Sequence, residues 1–418
     1  MILLAVQLVL HAALSFRGAA AALALFAEST RDGQFLPGST PCATTIRSWV
    51  LRLGYASLTR QLPHGHRWAW LIDHTLQIGT QKLFVIVGVP LDAVPFGVRS
   101  LQLSDLYLIA MVPMAESTQV LVDAELQKAV ARTGAPRQIV CDGAPDLLQG
   151  IERFRVRHPG TLGVPDVAHH AANLLKHYWE RDPMWQSFTR RMAEVAATIR
   201  QTRSAHLMAP KLRNKARFMT VGAFVRFGGM LLGRLQSLTP DAEVVKHYGW
   251  VREYEESLRA WGEQHALVEA TLSQVRVEGL FGRGLTLLEQ EWASLPTSDH
   301  PVTVGLRNRL RAYVSRHGRA AVSGERLVGS TEVLESAFGV QKRLSRDQSK
   351  SGMTSASVGL GAVLGEVSAD QMQAELERVP EKAVSRWAKR WFGETVQWLR
   401  RKFMGDQPAD RDPEPDPG

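Results

Sequence analysis

Apolar and polar positions change their period several times along the chain, and each change marks an element. Ile2 to Leu14 and Ser15 to Ala27 are helix-length apolar stretches, and a turn-rich gap follows from Ser29 to Pro41. Cys42 to Leu53 resumes helical spacing, with Thr40, Thr44 or Thr45 able to cap the helix and Gly54 able to end it. From Arg67 the pattern is that of strands: Trp68 to Leu76, Lys82 to Pro90 and Leu106 to Val112, separated by Gly79 and by a loop from Leu91 to Ser104. Glu116 to Arg132 has helical spacing and stops at Gly134. Next come a short buried strand over Arg137 to Cys141, a helix, a second strand-like run ending at Asp166, and a helix to about Lys176.

From Lys176 to Gly329 the chain is helical and basic, without a visible repeat, and carries Trp179, Trp185, Trp250, Trp261 and Trp292. A stretch of that length cannot be a loop in a compact domain, so it predicts an inserted helical domain. Residues 330–346 predict a further helix, Ser355 to Val367 is small and apolar, and Ala369 to Arg378 is helical. Lys382 to Phe403 interleaves cations with Trp387, Trp391 and Trp398 on one expected helical face, a pattern that favours packing over base stacking. The Pro-rich, acidic tail from Gly405 to Gly418 predicts disorder.

Composition narrows the partners. In 418 residues, 50 Lys and Arg against 41 Asp and Glu leave a net charge of +9, which favours an anionic partner such as nucleic acid. The two cysteines, Cys42 and Cys141, form neither a disulfide framework nor a zinc pattern, so a reducing compartment is expected. The apolar start lacks a charged leader, and His11 and Arg17 interrupt it before a run of the roughly 20 residues a membrane span needs. We therefore expect a cytoplasmic protein with no membrane partner; an exported or membrane protein is the rival that the apolar start alone would support.

Three acids stand out. Asp142 falls where a buried strand stops and a helix begins, the edge at which open α/β folds keep their chemistry. Asp73 is a charge inside the strand-like run Trp68 to Leu76, where an unpaired carboxylate is costly. Glu335 opens a helix with Gly339, Lys342 and Arg346 following on roughly the same face. Glu332 competes with it but stands in the first turn, where the helix dipole alone favours an acid. His74 should point to the opposite face of the strand from Asp73. Asp142 and Asp166 can each be read as helix caps, and His169 as a packed histidine. Candidate DNA contacts are Thr44, Thr45 and Arg47 on the third N-terminal helix, the cluster Lys211, Arg213, Lys215 and Arg217, and Lys342 with Arg346.

The phrases WAWLIDHTLQIGTQKLFVIVGV, GAPRQIVCDGAPDLLQGI, PDVAHHAANLLKH, PKLRNKARFM and STEVLESAFGVQKR together resemble bacterial insertion-sequence transposases of the Asp-Asp-Glu class. The resemblance runs over nearly the whole chain, to about Phe403. It implies an α/β RNase H-like core interrupted by an all-helical insertion, preceded by a helix-turn-helix-like domain. The implied boundaries are 1–62 for the DNA-binding domain, 63–176 and 329–366 for the core, 177–328 for the insertion, 367–404 for basic C-terminal helices and 405–418 for the tail. It also implies that Asp73, Asp142 and Glu335 are the catalytic, metal-binding acids. Asp166 and His169 would form the Asp-x-x-His signature of members with large helical insertions. Mg²⁺ or Mn²⁺ would be the cofactor, two ions in all, and double-stranded DNA the partner. Synapsis of two ends would require at least a homodimer, associated with the nucleoid. A metal-dependent nuclease of the same fold, or a transposase-derived DNA-binding protein without catalysis, are the alternatives.

Overall fold

The computed structural model describes residues 1–29, 40–78, 81–212, 217–296, 298–345, 354–394 and 396–405. Most of the described residues are helical, with five short strands. Helices α1 (Ile2–Leu10), α2 (Phe16–Ser29) and α3 (Ala43–Thr59) precede strands β1 (Trp68–Ile78), β2 (Gln81–Pro90) and β3 (Tyr107–Met114). Next come α4 (Gln119–Thr133), β4 (Gln138–Cys141), α5 (Pro145–Arg157), β5 (Leu162–Pro165) and α6 (Val167–Trp179). The helical stretch holds α7 (Pro183–Ile199), α8 (Val221–Leu235), α9 (Ala242–Tyr248), α10 (Glu255–Glu278), α11 (Gly284–Ala293) and α12 (Pro301–Gly318). Then follow α13 (Glu332–Leu344), a 3₁₀ segment over Ser355–Val363, α14 (Ala369–Arg378), α15 (Glu381–Phe392) and α16 (Val396–Phe403). β1, β2 and β3 pair antiparallel in the order β3-β2-β1, and β4 pairs parallel with β5. The apolar runs of β2 and β4 are buried along nearly their whole length, as continuous rather than alternating hydrophobicity requires.

Residues divide into two compact units: 1–90, 102–135 and 333–418 in the first, 91–101 and 136–332 in the second. In the first, α1, α2 and α3 bury Ala5, Val6, Val9, Ala19, Leu23, Ile46, Val50 and Leu53 in one core with Leu344, Met372 and Leu376. The Arg132 guanidinium, at the end of α4, donates to the carbonyls of Leu58, Arg60 and Ile109, so one cation satisfies two carbonyls at the C-terminus of α3 and one within β3.

Gly54 does not end α3, which continues to Thr59. Its role is close approach: a Cβ there would run into the carbonyl oxygen of Val358, and one on Gly361 would run into the carbonyl of Gly54. Ala ordinarily stabilises a helix interior relative to Gly by about 1 kcal/mol. Here the backbone contact should reverse the sign, and Gly54→Ala is expected to cost about 1–3 kcal/mol by overpacking. Thermal melts of the two proteins decide it, and an equal or higher midpoint in the variant would refute the contact. None of the expected threonines caps α3 either. Its N-cap is Cys42, with no side-chain cap, and the Thr44 and Thr45 hydroxyls hydrogen-bond the Cys42 Sγ instead, at 2.9 and 3.2 Å.

The run Lys382 to Phe403 is two helices, not one. Gly393 adopts φ +69 between them, so Trp398 does not share one helical face with Trp387 and Trp391. In the second unit, Trp179, Trp185 and Trp261 of the helical stretch lie against one another. Trp261 also packs with Phe188, and the Trp179 Nε1 donates to Gln264 Oε1 at 2.5 Å. These rings form a core, with Arg191 lying over Trp250 at its edge.

Candidate active site

Asp73 lies in β1, in register with Val85 of β2, and is partly buried. One of its carboxylate oxygens accepts the amide of His74 at 2.6 Å. Alternation sends His74 to the other face, where its Nε2 bonds the Ser117 hydroxyl at 2.9 Å and its ring packs on Phe84.

Asp142 follows β4 immediately and is partly buried. Its carboxylate accepts the Ala144 amide at 2.9 Å across Gly143, whose φ is +90. That is an Asx turn, which aims the chain out of the strand. The helix itself starts with Ala144 as N-cap and Pro145 at its first position, so Asp142 shapes the turn rather than capping the helix. Asp146 sits in the first turn of α5.

Glu335 is exposed, one turn inside α13. Glu332, at the start of the same helix, is gripped by the Arg276 guanidinium through Nε and, at 2.6 Å, through Nη2. Glu332 thus has a structural partner that accounts for it.

Asp166 is fully buried. One oxygen accepts the His169 amide at 2.7 Å and stands 3.0 Å from His169 Nδ1, capping α6; the other accepts the Thr331 amide at 2.6 Å and the Thr331 hydroxyl at 3.2 Å. Burial pushes this carboxyl up, but the His169 side chain and the His169 and Thr331 amides outweigh it and hold it below the usual range. Beyond it, the Tyr313 hydroxyl donates to the Pro165 carbonyl at 2.6 Å, and its ring packs on His170 and His317, each with its centroid 4.7 Å away. Burial lowers both imidazoles, and with the Arg316 charge nearby His317 falls to about 4, so it is neutral at pH 7.

The expected DNA contacts fare unequally. Thr44 is exposed at the first turn of α3, but Thr45 and Arg47 are partly covered, and Arg47 reaches the Ser355 hydroxyl at 3.5 Å. α3 packs against α1, α2, α14, α15 and the 3₁₀ segment, which leaves mainly its N-terminal turn for a groove. Lys211 and Lys342 are exposed. Arg213, Lys215, Arg346 and the Arg217 side chain lie outside the described residues.

Asp73 and Glu335 belong to the first unit and Asp142 to the second. Among the described residues no three His, Cys, Asp or Glu side chains are gathered as they would be around one ion. The donor chemistry of three carboxylates nonetheless suits a hard divalent cation. The expectations also passed over the residues that hold the segment before α13. Gln138 of β4 donates from Nε2 to the Val328 carbonyl at 2.7 Å and accepts the Val328 amide at 2.9 Å, replacing a strand partner with a side chain. A fully buried Gln within an apolar strand is the one signal that could have marked it. Among the described residues no helix is long and apolar enough to cross a membrane. No protein-family model matches the chain, and no curated protein matches its sequence.

Proposed function

We propose that this protein is a DNA transposase of the Asp-Asp-Glu class, hydrolysing and rejoining phosphodiester bonds at the ends of a mobile element. The observation that carries the proposal is where the three acids fall: Asp73 within β1, Asp142 directly after β4, and Glu335 on the helix that follows the inserted helices. The element order of three strands, helix, strand, helix, strand, helix supports an RNase H-like core with α7 to α12 as its insertion. Glu335 is preferred to Glu332 as the third acid because Glu332 stands at the first position of α13, where the helix dipole alone favours an acid.

In this proposal Asp73, Asp142 and Glu335 hold Mg²⁺ or Mn²⁺. A pair of such ions would supply charge neutralisation at the attacking and leaving oxygens. Lys342, and Arg346 beyond it, would meet backbone phosphate from α13, Lys211 and its neighbours would do so from the insertion, and Thr44 would face the groove. The net charge of +9 suits a double-stranded DNA partner. Joining two ends calls for at least a dimer acting at the bacterial nucleoid.

The test uses purified protein and linear DNA carrying the gene's own flanks. Cleavage at the element ends in Mg²⁺, abolished by chelation, is the expected result. Binding of the flanks without cleavage in Mg²⁺ or Mn²⁺ would overturn the enzymatic proposal.

A further inference from the structure

We infer that the first unit holds a binding site for a small apolar molecule with an anionic, two-oxygen head, in a cavity among α1, α3, α14 and the end of the 3₁₀ segment. The cavity has a volume of about 270 Å³. Small-ligand sites occupy about 300–1,000 Å³, so this one sits at the lower end and takes a short hydrocarbon body rather than a dinucleotide. Val6, Leu53, Leu364 and Met372, all buried, supply its apolar wall.

One end of the lining is polar and has no structural task. Ser57 and Arg60 both line the cavity, one turn apart at the C-terminal end of α3. Ser57 is 5% exposed, and among the described residues its Oγ has no hydrogen-bond partner. Neither have Arg60 Nε and Nη2, which are likewise shielded from solvent. Donors left this way are costly to bury. An arginine at a helix C-terminus ordinarily holds the last carbonyls, but Arg132 already takes those of Leu58 and Arg60. The Arg60 guanidinium instead stands 5.2 Å from the centre of the Tyr107 ring, a contact that offers its N–H groups no oxygen.

Nε and Nη2 form one edge of the guanidinium, and their parallel N–H bonds match the two oxygens of a carboxylate or phosphate. Ser57 adds a third donor. The surrounding charge favours an anion as well. Burial, and then the Arg60 charge, hold the Arg132 guanidinium below its usual range, so two cations stand near each other at this end. The acid in the lining, Glu375, is already paired with Arg378 of its own helix, which donates to it from Nε at 2.8 Å and from Nη2 at 2.5 Å. Filling the site turns the Ser57 hydroxyl and the Arg60 edge toward the ligand head, about a single bond in Ser57 and along a flexible stem in Arg60. None of these residues belongs to the proposed DNA or metal contacts, so the inference stands or falls apart from the transposase proposal.

The test titrates the full chain, without DNA, with octanoate, octyl phosphate and octanol, reading binding by calorimetry and by the rise in thermal midpoint. An anion should bind, and octanol should bind about tenfold more weakly or worse, because charged donors favour a charged acceptor. The tighter of the two anions identifies the head. Arg60→Met, which keeps the stem, should weaken anion binding about tenfold or more and leave octanol unchanged, and Ser57→Ala should weaken the anions by about twofold to tenfold. No binding of either anion would mean that the donors hold water only, and would overturn the inference. Octanol binding as tightly as the anions, or anions binding both variants at wild-type strength, would overturn it too. If Arg60→Met does not fold, Ser57→Ala and the preference for anion over octanol decide on the same criteria.

Discussion

Glu335→Gln is expected to lower end cleavage by about 10³-fold or more, while Glu332→Gln keeps it within about tenfold. A carboxylate that holds a catalytic ion contributes several kcal/mol to the transition state, and each 1.4 kcal/mol is a factor of ten. Gln keeps the shape and removes the charge. Glu332, in the first turn of the helix, is paired with Arg276, with both groups about one-third exposed. Losing that pair should cost stability modestly, as partly exposed ion pairs do. Single-turnover cleavage of labelled end DNA by each variant separates the two. Equal losses, or a larger loss for Glu332→Gln, would reassign the third acid.

Gln138→Leu is expected to destabilise the protein by about 2–5 kcal/mol, although the substitution is nearly isosteric and more apolar. The reason is asymmetric: removing one side of a buried hydrogen-bonded set leaves the other side desolvated and unpaired, at about 1–3 kcal/mol per group. Val328 would lose partners for both its amide and its carbonyl, in a segment that is itself buried. Urea denaturation measures the difference, and a midpoint equal to the wild type would show that Val328 finds other partners. The same variant should loosen the approach to α13, since Val328 stands three residues before Thr331.

Much of the fold could be read from local pattern. The strands from Trp68, Lys82 and Leu106 and the helices after Asp142 and Asp166 lie within a few residues of their expected places, because each is a short apolar run closed by Gly, Pro or Asp. Glycine misled in two directions. Gly54 looked like a helix end and is a contact point within α3, whereas Gly393 was passed over and ends α15. The difference lies in what packs against each residue, which local spacing does not encode. The same limit explains the site. Asp142 was legible as an acid at the end of a strand, and Glu332 as a first-turn acid, but its Arg276 partner was not. Nor could spacing show that Asp166 uses its second oxygen on Thr331, since the two lie on opposite sides of the inserted helices. Thr45 and Arg47 stood as candidate DNA contacts on α3, and the segments that pack against that helix, α14, α15 and the 3₁₀ segment, come from the other end of the chain.

The most direct test of the central claim is excision of the gene's own flanking DNA from a reporter plasmid by the wild type and by Asp142→Asn. Asparagine can still accept the Ala144 amide and so keep the Asx turn, while removing the charge that a divalent ion requires. The account predicts excision by the wild type, none by the variant, and equal binding of both to the flanks. Excision by Asp142→Asn at the wild-type level would contradict it.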